Sequence, residues 1–174
     1  MQVHPKAKVT FITGGARSGK SRYAQELALQ RSSNPVYLAT ARIWDAEFKE
    51  RVDRHQQERD SRWVNLEEEK LLSRLPLQGK VVVIDCVTLW ITNFFSDMHY
   101  NVDACLKACQ EEYDRLIEKE AELIIISNEI GMGLHADTES GRRFTDLHGW
   151  VNQYIAARAN RVIFMVSGIP LIIK

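Results

Sequence analysis

Eight consecutive residues near the start of the chain, Gly14-Gly15-Ala16-Arg17-Ser18-Gly19-Lys20-Ser21, constrain it more than any other feature. They satisfy the pattern G-x-x-x-x-G-K-[ST], which carries its meaning only between a strand and a helix. That context is present. Lys8 to Thr13 reads as a short buried strand, and the stretch after the glycines carries apolar residues at Tyr23, Leu27 and Leu29, the spacing of a helix. Glycines let the backbone curl until successive N–H groups face phosphate oxygens, and the helix behind adds its partial positive end. Gly14, Gly15, Ala16, Arg17, Ser18 and Gly19 are therefore expected to cradle phosphates, with the Lys20 ammonium reaching the β and γ groups. The Ser21 hydroxyl is suited to Mg2+, a hard cation that prefers oxygen ligands and keeps several waters. Average residue frequencies place this pattern by accident in fewer than about 1% of chains of this length.

The rest of the chain reads as alternating elements. Strands are expected at Pro35 to Thr40, Val81 to Asp85 and Leu123 to Ser127, and helices at Asp45 to Asp60, Thr88 to Phe95, Asn101 to Lys119 and Thr138 to Ala157. Arg161 to Val166 and Leu171 to Lys174 should close the chain as a strand pair joined around Ser167-Gly168-Ile169-Pro170. Such alternation implies an α/β fold with a mostly parallel sheet and helices on both faces. At 174 residues without a long low-complexity segment, one catalytic domain is the expectation.

Lys plus Arg and Asp plus Glu balance at 23 each, so no global field draws the chain to nucleic acid or an anionic membrane. Anion binding must be local. Apolar runs are far shorter than a membrane span, and Met1 to Lys8 is not a signal peptide. Three cysteines, Cys86, Cys105 and Cys109, form no disulfide framework and fit a reducing cytoplasm.

Asp85 ends a continuously apolar strand with a carboxylate, at the sheet edge where open α/β folds bind ligands. It is a candidate for the magnesium side of the site together with Ser21; the alternative is an ordinary helix N-cap. Arg51, His55 and Arg59 lie four apart, so a helix stacks an imidazole between two guanidinium groups. A neutral imidazole in that setting can attack the α-phosphorus of a triphosphate, with the arginines stabilising the phosphoryl oxygens. A solvated charged helix face explains the same spacing.

These segments combine with Tyr37-Leu38-Ala39-Thr40-Ala41, the Arg51-x-x-x-His55-x-x-x-Arg59-x-x-x-Trp63 spacing and Thr88 to Asn93. Asn128-Glu129-x-Gly131-x-Gly133, Arg142-x-Phe144, Val151-Asn152-Gln153 and Val166-Ser167-Gly168 follow in order. Taken together the motifs resemble the bifunctional adenosylcobinamide kinase / adenosylcobinamide-phosphate guanylyltransferase family of cobalamin biosynthesis, from about Val9 to Lys174. The resemblance implies a RecA-like phosphate-loop fold, ATP or GTP as kinase donor, GTP for the transfer, and one nucleotide site for both reactions. It further implies that His55 is the nucleophile that takes up GMP, with Lys20 as the second catalytic residue. Ala39, Thr40, Ala41, Gln56, Gln57, Glu58, Arg59, Glu67 and Asp85 are implied to help hold the guanine nucleotide. Adenosylcobinamide and its phosphate are the implied partners, and self-association into a homo-oligomer is a family trait. Asp60 departs from the family, whose members often carry proline there.

Two further readings stand beside this one: a kinase without the transfer step, and a nucleotide-dependent regulatory protein that transfers nothing. Glu129 faces the site as a base or substrate group, or only braces its turn. His4, His99, His135 and His148 have no metal-ligand spacing. Cys105 and Cys109 are expected in a helix core, and Trp63 and Trp150 as packing residues. Leu89, Trp90, Ile91, Phe94 and Phe95 form an apolar helix that packs in the core or, second, at a subunit interface.

Overall fold

The computed structural model describes residues 5–43 and 59–174. The elements, in chain order, are β1 (Lys8–Gly14), α1 (Lys20–Arg31), β2 (Val36–Ala39), β3 (Val64–Glu67), a 3-10 turn (Leu72–Arg74) and β4 (Val81–Asp85). Then follow α2 (Val87–Asp97), α3 (Val102–Ile117), β5 (Glu122–Ile126), α4 (Glu139–Arg158), β6 (Arg161–Val166) and β7 (Ile169–Ile172). Among the described residues the strands form one seven-stranded sheet in the order β3-β2-β4-β5-β1-β6-β7. Every pairing is parallel except β6 with β7.

Because side chains alternate along a strand, each central strand feeds two cores. Val82, Ile84, Leu123, Ile125, Phe11 and Leu38 face one side, where they pack with Trp90 and Ile91 of α2, Tyr113 and Leu116 of α3, and Leu147 and Ile155 of α4. Val83, Ile124, Ile126, Ile12 and Ile163 face the other, against Ala24, Leu27 and Ala28 of α1. Helix starts follow local chemistry. The Asn101 side chain accepts from the Ala104 N–H at 3.0 Å and the Thr138 hydroxyl from the Gly141 N–H at 3.0 Å, each satisfying a donor that the helix leaves open.

The α/β expectation is met, and β5 lies between β1, which leads into the glycine loop, and β4, which ends in Asp85. That inserted strand is the RecA-like arrangement. Three expectations change. First, β3 is an additional edge strand at Val64–Glu67; three of its four residues are exposed, so it has no apolar run to announce it. Second, the closing strand begins at Ile169 rather than Leu171, because Val166 pairs with Ile169 and leaves a two-residue turn, Ser167-Gly168. Both turn residues have positive φ, 51° and 83°, as a type I′ hairpin requires. Pro170 is tolerated since β7 is an edge strand. Third, the helix expected over Asp45 to Asp60 falls mostly outside the described residues, and at Arg59 and Asp60 the chain is not helical.

Trp150 is 46% exposed, contrary to its expected packing role. The buried stripe of α4 runs through Leu147, His148, Val151, Asn152 and Ile155, and Trp150 lies off it. Trp63 does pack, edge-on to Tyr37 with ring centroids 5.9 Å apart. On α2, Trp90, Ile91, Phe94 and Phe95 are buried within the chain, which favours the core reading over an interface. Among the described residues no helix is long and apolar enough to cross a membrane.

Candidate active site at the carboxyl edge of the sheet

β1 ends at Gly14, where the chain has no room for a side chain. A Cβ there would lie 2.6 Å from the Met165 carbonyl oxygen and 2.9 Å from Ser18 Oγ, and φ is +155°. Gly19 has φ +91°, and its added Cβ would stand 3.3 Å from the Gly168 Cα. The loop is thus pressed against the β6–β7 hairpin, and the Gly168 N–H donates to the Ser18 carbonyl at 2.9 Å. Glycine is required at these two points by close approach and by φ together.

Lys20 opens α1 and is buried, with Nζ donating to the Gly15 carbonyl at 2.6 Å and to Ser18 Oγ at 3.4 Å. Burial lowers its pKa, and Cys86 and Asp85 pull it back up. Ser21 Oγ donates to Asp85 Oδ2 at 3.1 Å, and Tyr37 Oη donates to the same oxygen at 2.5 Å. Burial raises the Tyr37 pKa, reinforced by the Asp85 charge, so the phenol remains a donor. Asp85 is not the cap of α2; that position is Cys86, whose side chain makes no cap bond. Instead the carboxylate faces Ser21 across the sheet edge. Two hard oxygen groups, a serine hydroxyl and a carboxylate, suit Mg2+ shared with phosphates and water. Among the described residues there is no cluster of three or more His, Cys, Asp and Glu groups that could hold a metal ion.

The next strands tie into this centre through Thr40. Its Oγ1 donates to the Cys86 carbonyl at 2.7 Å and accepts from the Cys86 N–H at 2.9 Å, and its own N–H donates to the Asp85 carbonyl at 3.0 Å. Asn93 of α2 then donates to the Thr40 carbonyl at 2.8 Å and to the Glu69 carbonyl at 2.9 Å. This fixes Ala39, Thr40 and Ala41 beside Asp85. Arg59 lies flat on the Tyr37 ring, 3.7 Å from its centroid, and its Nε donates to Asn65 Oδ1 at 2.8 Å. Glu67, at the end of β3, is exposed. Arg51, His55, Gln56, Gln57 and Glu58 lie outside the described residues.

Sequence reasoning left two groups without a role. Tyr37 belongs to a motif segment, yet only the fold shows its hydroxyl on Asp85. The second is a buried polar cluster behind β5. Ser127 Oγ donates to Asn152 Oδ1 at 2.7 Å, His148 Nε2 lies 2.9 Å from Thr88 Oγ1, and Asn128 Nδ2 donates to Thr88 Oγ1 at 3.0 Å. Burial pushes the His148 pKa down to about 4. The cluster sets the strand exit from which Glu129 donates its N–H to the Gly14 carbonyl at 2.9 Å. Glu129 Oε1 accepts from the Gly131 N–H at 3.2 Å, the geometry of a braced turn.

Loop, lysine, serine and opposed carboxylate on a parallel sheet define a phosphate-loop nucleotide-binding protein. The family model described as cobinamide kinase / cobinamide phosphate guanyltransferase matches residues 10–173, and the chain belongs to that family of enzymes. It is 38% identical over 169 residues to the Pseudomonas aeruginosa bifunctional adenosylcobalamin biosynthesis protein CobP, covering 94% of this chain and 96% of that one. It is 36% identical to Escherichia coli bifunctional adenosylcobalamin biosynthesis protein CobU, over 94% of this chain and 98% of the relative. Among solved structures, the flagellar accessory protein FlaH of Methanocaldococcus jannaschii is 16% identical, with a TM-score of 0.47 over 98% of this chain and 79% of that one. At that distance the fold rests on this chain's own strand order.

Proposed function

We propose that this chain phosphorylates adenosylcobinamide with ATP or GTP and then transfers GMP from GTP to the resulting phosphate, yielding adenosylcobinamide-GDP. The observation that carries the reading is the hydrogen bond of Ser21 to Asp85 beside the buried Lys20 at the mouth of the loop, in a chain of this family. In the first reaction the substrate hydroxyl oxygen attacks the γ-phosphorus, the bond to the β-bridging oxygen breaks, and the hydroxyl proton leaves to solvent. Lys20 neutralises charge on the transferring group. In the second, an imidazole nitrogen of His55 attacks the α-phosphorus of GTP and pyrophosphate departs; an oxygen of the substrate phosphate then displaces the imidazole. Ser21 and Asp85 would hold Mg2+, which would supply charge neutralisation at the phosphate oxygens when bound. Thr40, Ala39, Ala41, Glu67 and Arg59, with Gln56, Gln57 and Glu58, form the guanine side. Self-association belongs to the same reading, and the exposed Ile169, Leu171, Ile172 and Ile173 at the β7 edge support it.

Intact mass after incubation with GTP and Mg2+ tests the transfer half. A gain the size of GMP, absent in His55→Ala and reversed by added pyrophosphate, is the expected result. Folded, GTP-binding protein without any gain overturns the His55 nucleophile and leaves the kinase without transfer or the nucleotide-dependent regulatory protein.

A further inference from the structure

Phosphoryl transfer to an alcohol needs a group that aims the alcohol oxygen, whereas the glycine loop, Lys20, Ser21 and Asp85 all serve the phosphate side. The gap between Gly14 and Asp85 is filled by the exit of β5. Ile126 pairs with Asp85 on one side and with Ile12 on the other, and two further bonds carry the pairing with β1 onward. The Ser127 N–H donates to the Ile12 carbonyl at 2.9 Å, and the Glu129 N–H to the Gly14 carbonyl at 2.9 Å. Asn128 therefore stands between the start of the phosphate loop and the start of α2.

Its side chain is fixed from behind. Thr88 Oγ1 accepts from the Asn128 N–H at 3.3 Å and from Asn128 Nδ2 at 3.0 Å. With both lone pairs taken, the threonine hydroxyl donates to His148 Nε2 at 2.9 Å, which a neutral imidazole allows. His148 is buried, and burial keeps it neutral. Asn152 holds the backbone of the same residue, its Nδ2 donating to the Asn128 carbonyl at 3.2 Å. One atom is left over. Among the described residues Asn128 Oδ1 meets no donor, and the unpaired side-chain atoms that are fully enclosed are Thr13 Oγ1 and Tyr113 Oη. A half-buried carboxamide, locked on its nitrogen side, thus turns a free acceptor oxygen outward at the site.

We infer that Asn128 Oδ1 holds the alcohol of the phosphoryl acceptor, with Thr88 and His148 as the residues that position it. The inference rests on the kinase half of the proposed function and adds the group that orients its second substrate. A carboxamide takes no proton; it only aims. With the substrate O–H pointing at Oδ1, a lone pair on the same oxygen is left for the γ-phosphorus. The bond to the β-bridging oxygen breaks, and the hydroxyl proton leaves to solvent. The contact also tells the two acceptors apart. An alcohol brings a donor to Oδ1, but the phosphate monoester it becomes brings, once ionised, acceptor oxygens alone. Two acceptors repel without a proton between them, so the phosphorylated product gives up this contact and Asn128 has no part in the GMP transfer that follows.

Asn128→Ala in the full chain, assayed on each reaction separately, tests the assignment. Phosphorylation of adenosylcobinamide by ATP should fall about twentyfold in kcat/KM, while GMP transfer to supplied adenosylcobinamide phosphate stays within about threefold of wild type. Kinase activity equal to wild type, or equal losses in the two reactions, overturns the proposal. The positioning is tested by Thr88→Val, which keeps the shape and removes the hydroxyl, beside Thr88→Ser, which keeps the hydroxyl. The valine variant should lose about fivefold in the kinase reaction alone, and the serine variant should stay within about twofold of wild type. Serine as poor as valine, or valine as good as wild type, overturns the role of Thr88. Failure of the proposed function itself reads differently, as wild-type protein that phosphorylates no adenosylcobinamide.

Discussion

At the β1–β6 end of the sheet edge the site is made of backbone, and at the β2–β3 end it is made of side chains. Around Gly14 and Gly19 a single added carbon would collide with the Met165 carbonyl or press on Gly168. Around Tyr37 the same edge is assembled from an arginine lying on a ring, a phenol on a carboxylate and an exposed glutamate. A backbone-built site tolerates almost no substitution and holds its shape before any ligand arrives. A side-chain-built site depends on rotamers and neighbours, so it is tuned more easily and lost with less effect on folding.

The sharpest test of that contrast is Gly14→Ala. With a Cβ 2.6 Å from a backbone oxygen, β1 must move away from β6; loss of both activities and a stability loss of about 3 kcal/mol are expected in urea unfolding. Near-normal activity would show that the loop bends, and would erase the distinction.

The polar cluster behind β5 is made of side chains but buried, which separates the effect of construction from that of exposure. His148 is held neutral, with a pKa of about 4 against an ordinary 6.5. The unfolded chain therefore binds the extra proton first. The stability this provides is complete above pH 6.5 and is lost as pH falls towards 4, amounting to about 3 kcal/mol at most. His148→Gln should flatten the fall of stability over that window; an unchanged slope would mean that other groups control the acid limb.

Tyr37→Phe removes one of two donors to Asp85 Oδ2. A stability loss of about 1–2 kcal/mol is expected, with a raised Mg2+ requirement in the kinase assay. Arg59→Ala removes the cation over the Tyr37 ring and the hydrogen bond to Asn65, and a structural loss of about 1 kcal/mol is expected in urea unfolding. Its effect on GMP uptake should nonetheless reach about tenfold, the size of one lost charge-assisted contact. An equal loss in the kinase reaction would merge the two ends into one site.

The same contrast explains what the sequence made legible. The loop was readable because glycine at φ +91° or against a carbonyl is a steric demand, and steric demands leave fixed spacings. The buried strands were readable because Val81 to Ile84 and Leu123 to Ile126 are continuous apolar runs. β3 was not, since an exposed edge strand needs no such run, and the β7 start was displaced by Pro170, which an edge accepts. On the β2–β3 side, Glu67 came from resemblance alone, and the four-residue spacing that singled out Arg59 carries no sign that it will sit over a tyrosine twenty-two positions earlier. Thr88, Ser127, His148 and Asn152 meet only through packing of three elements, so their spacing carries no signal.

The three thiols have a consequence of a different kind. Cys86, Cys105 and Cys109 are all buried, and burial pushes the first up to about 12 and the second up to about 11, leaving little thiolate at neutral pH. Alkylating reagents therefore meet almost no reactive sulfur in the folded chain and find all three once it opens. The rate of labelling becomes a clock for opening, and because nucleotide binds only the folded form, a nucleotide that binds should slow that clock in proportion to its occupancy.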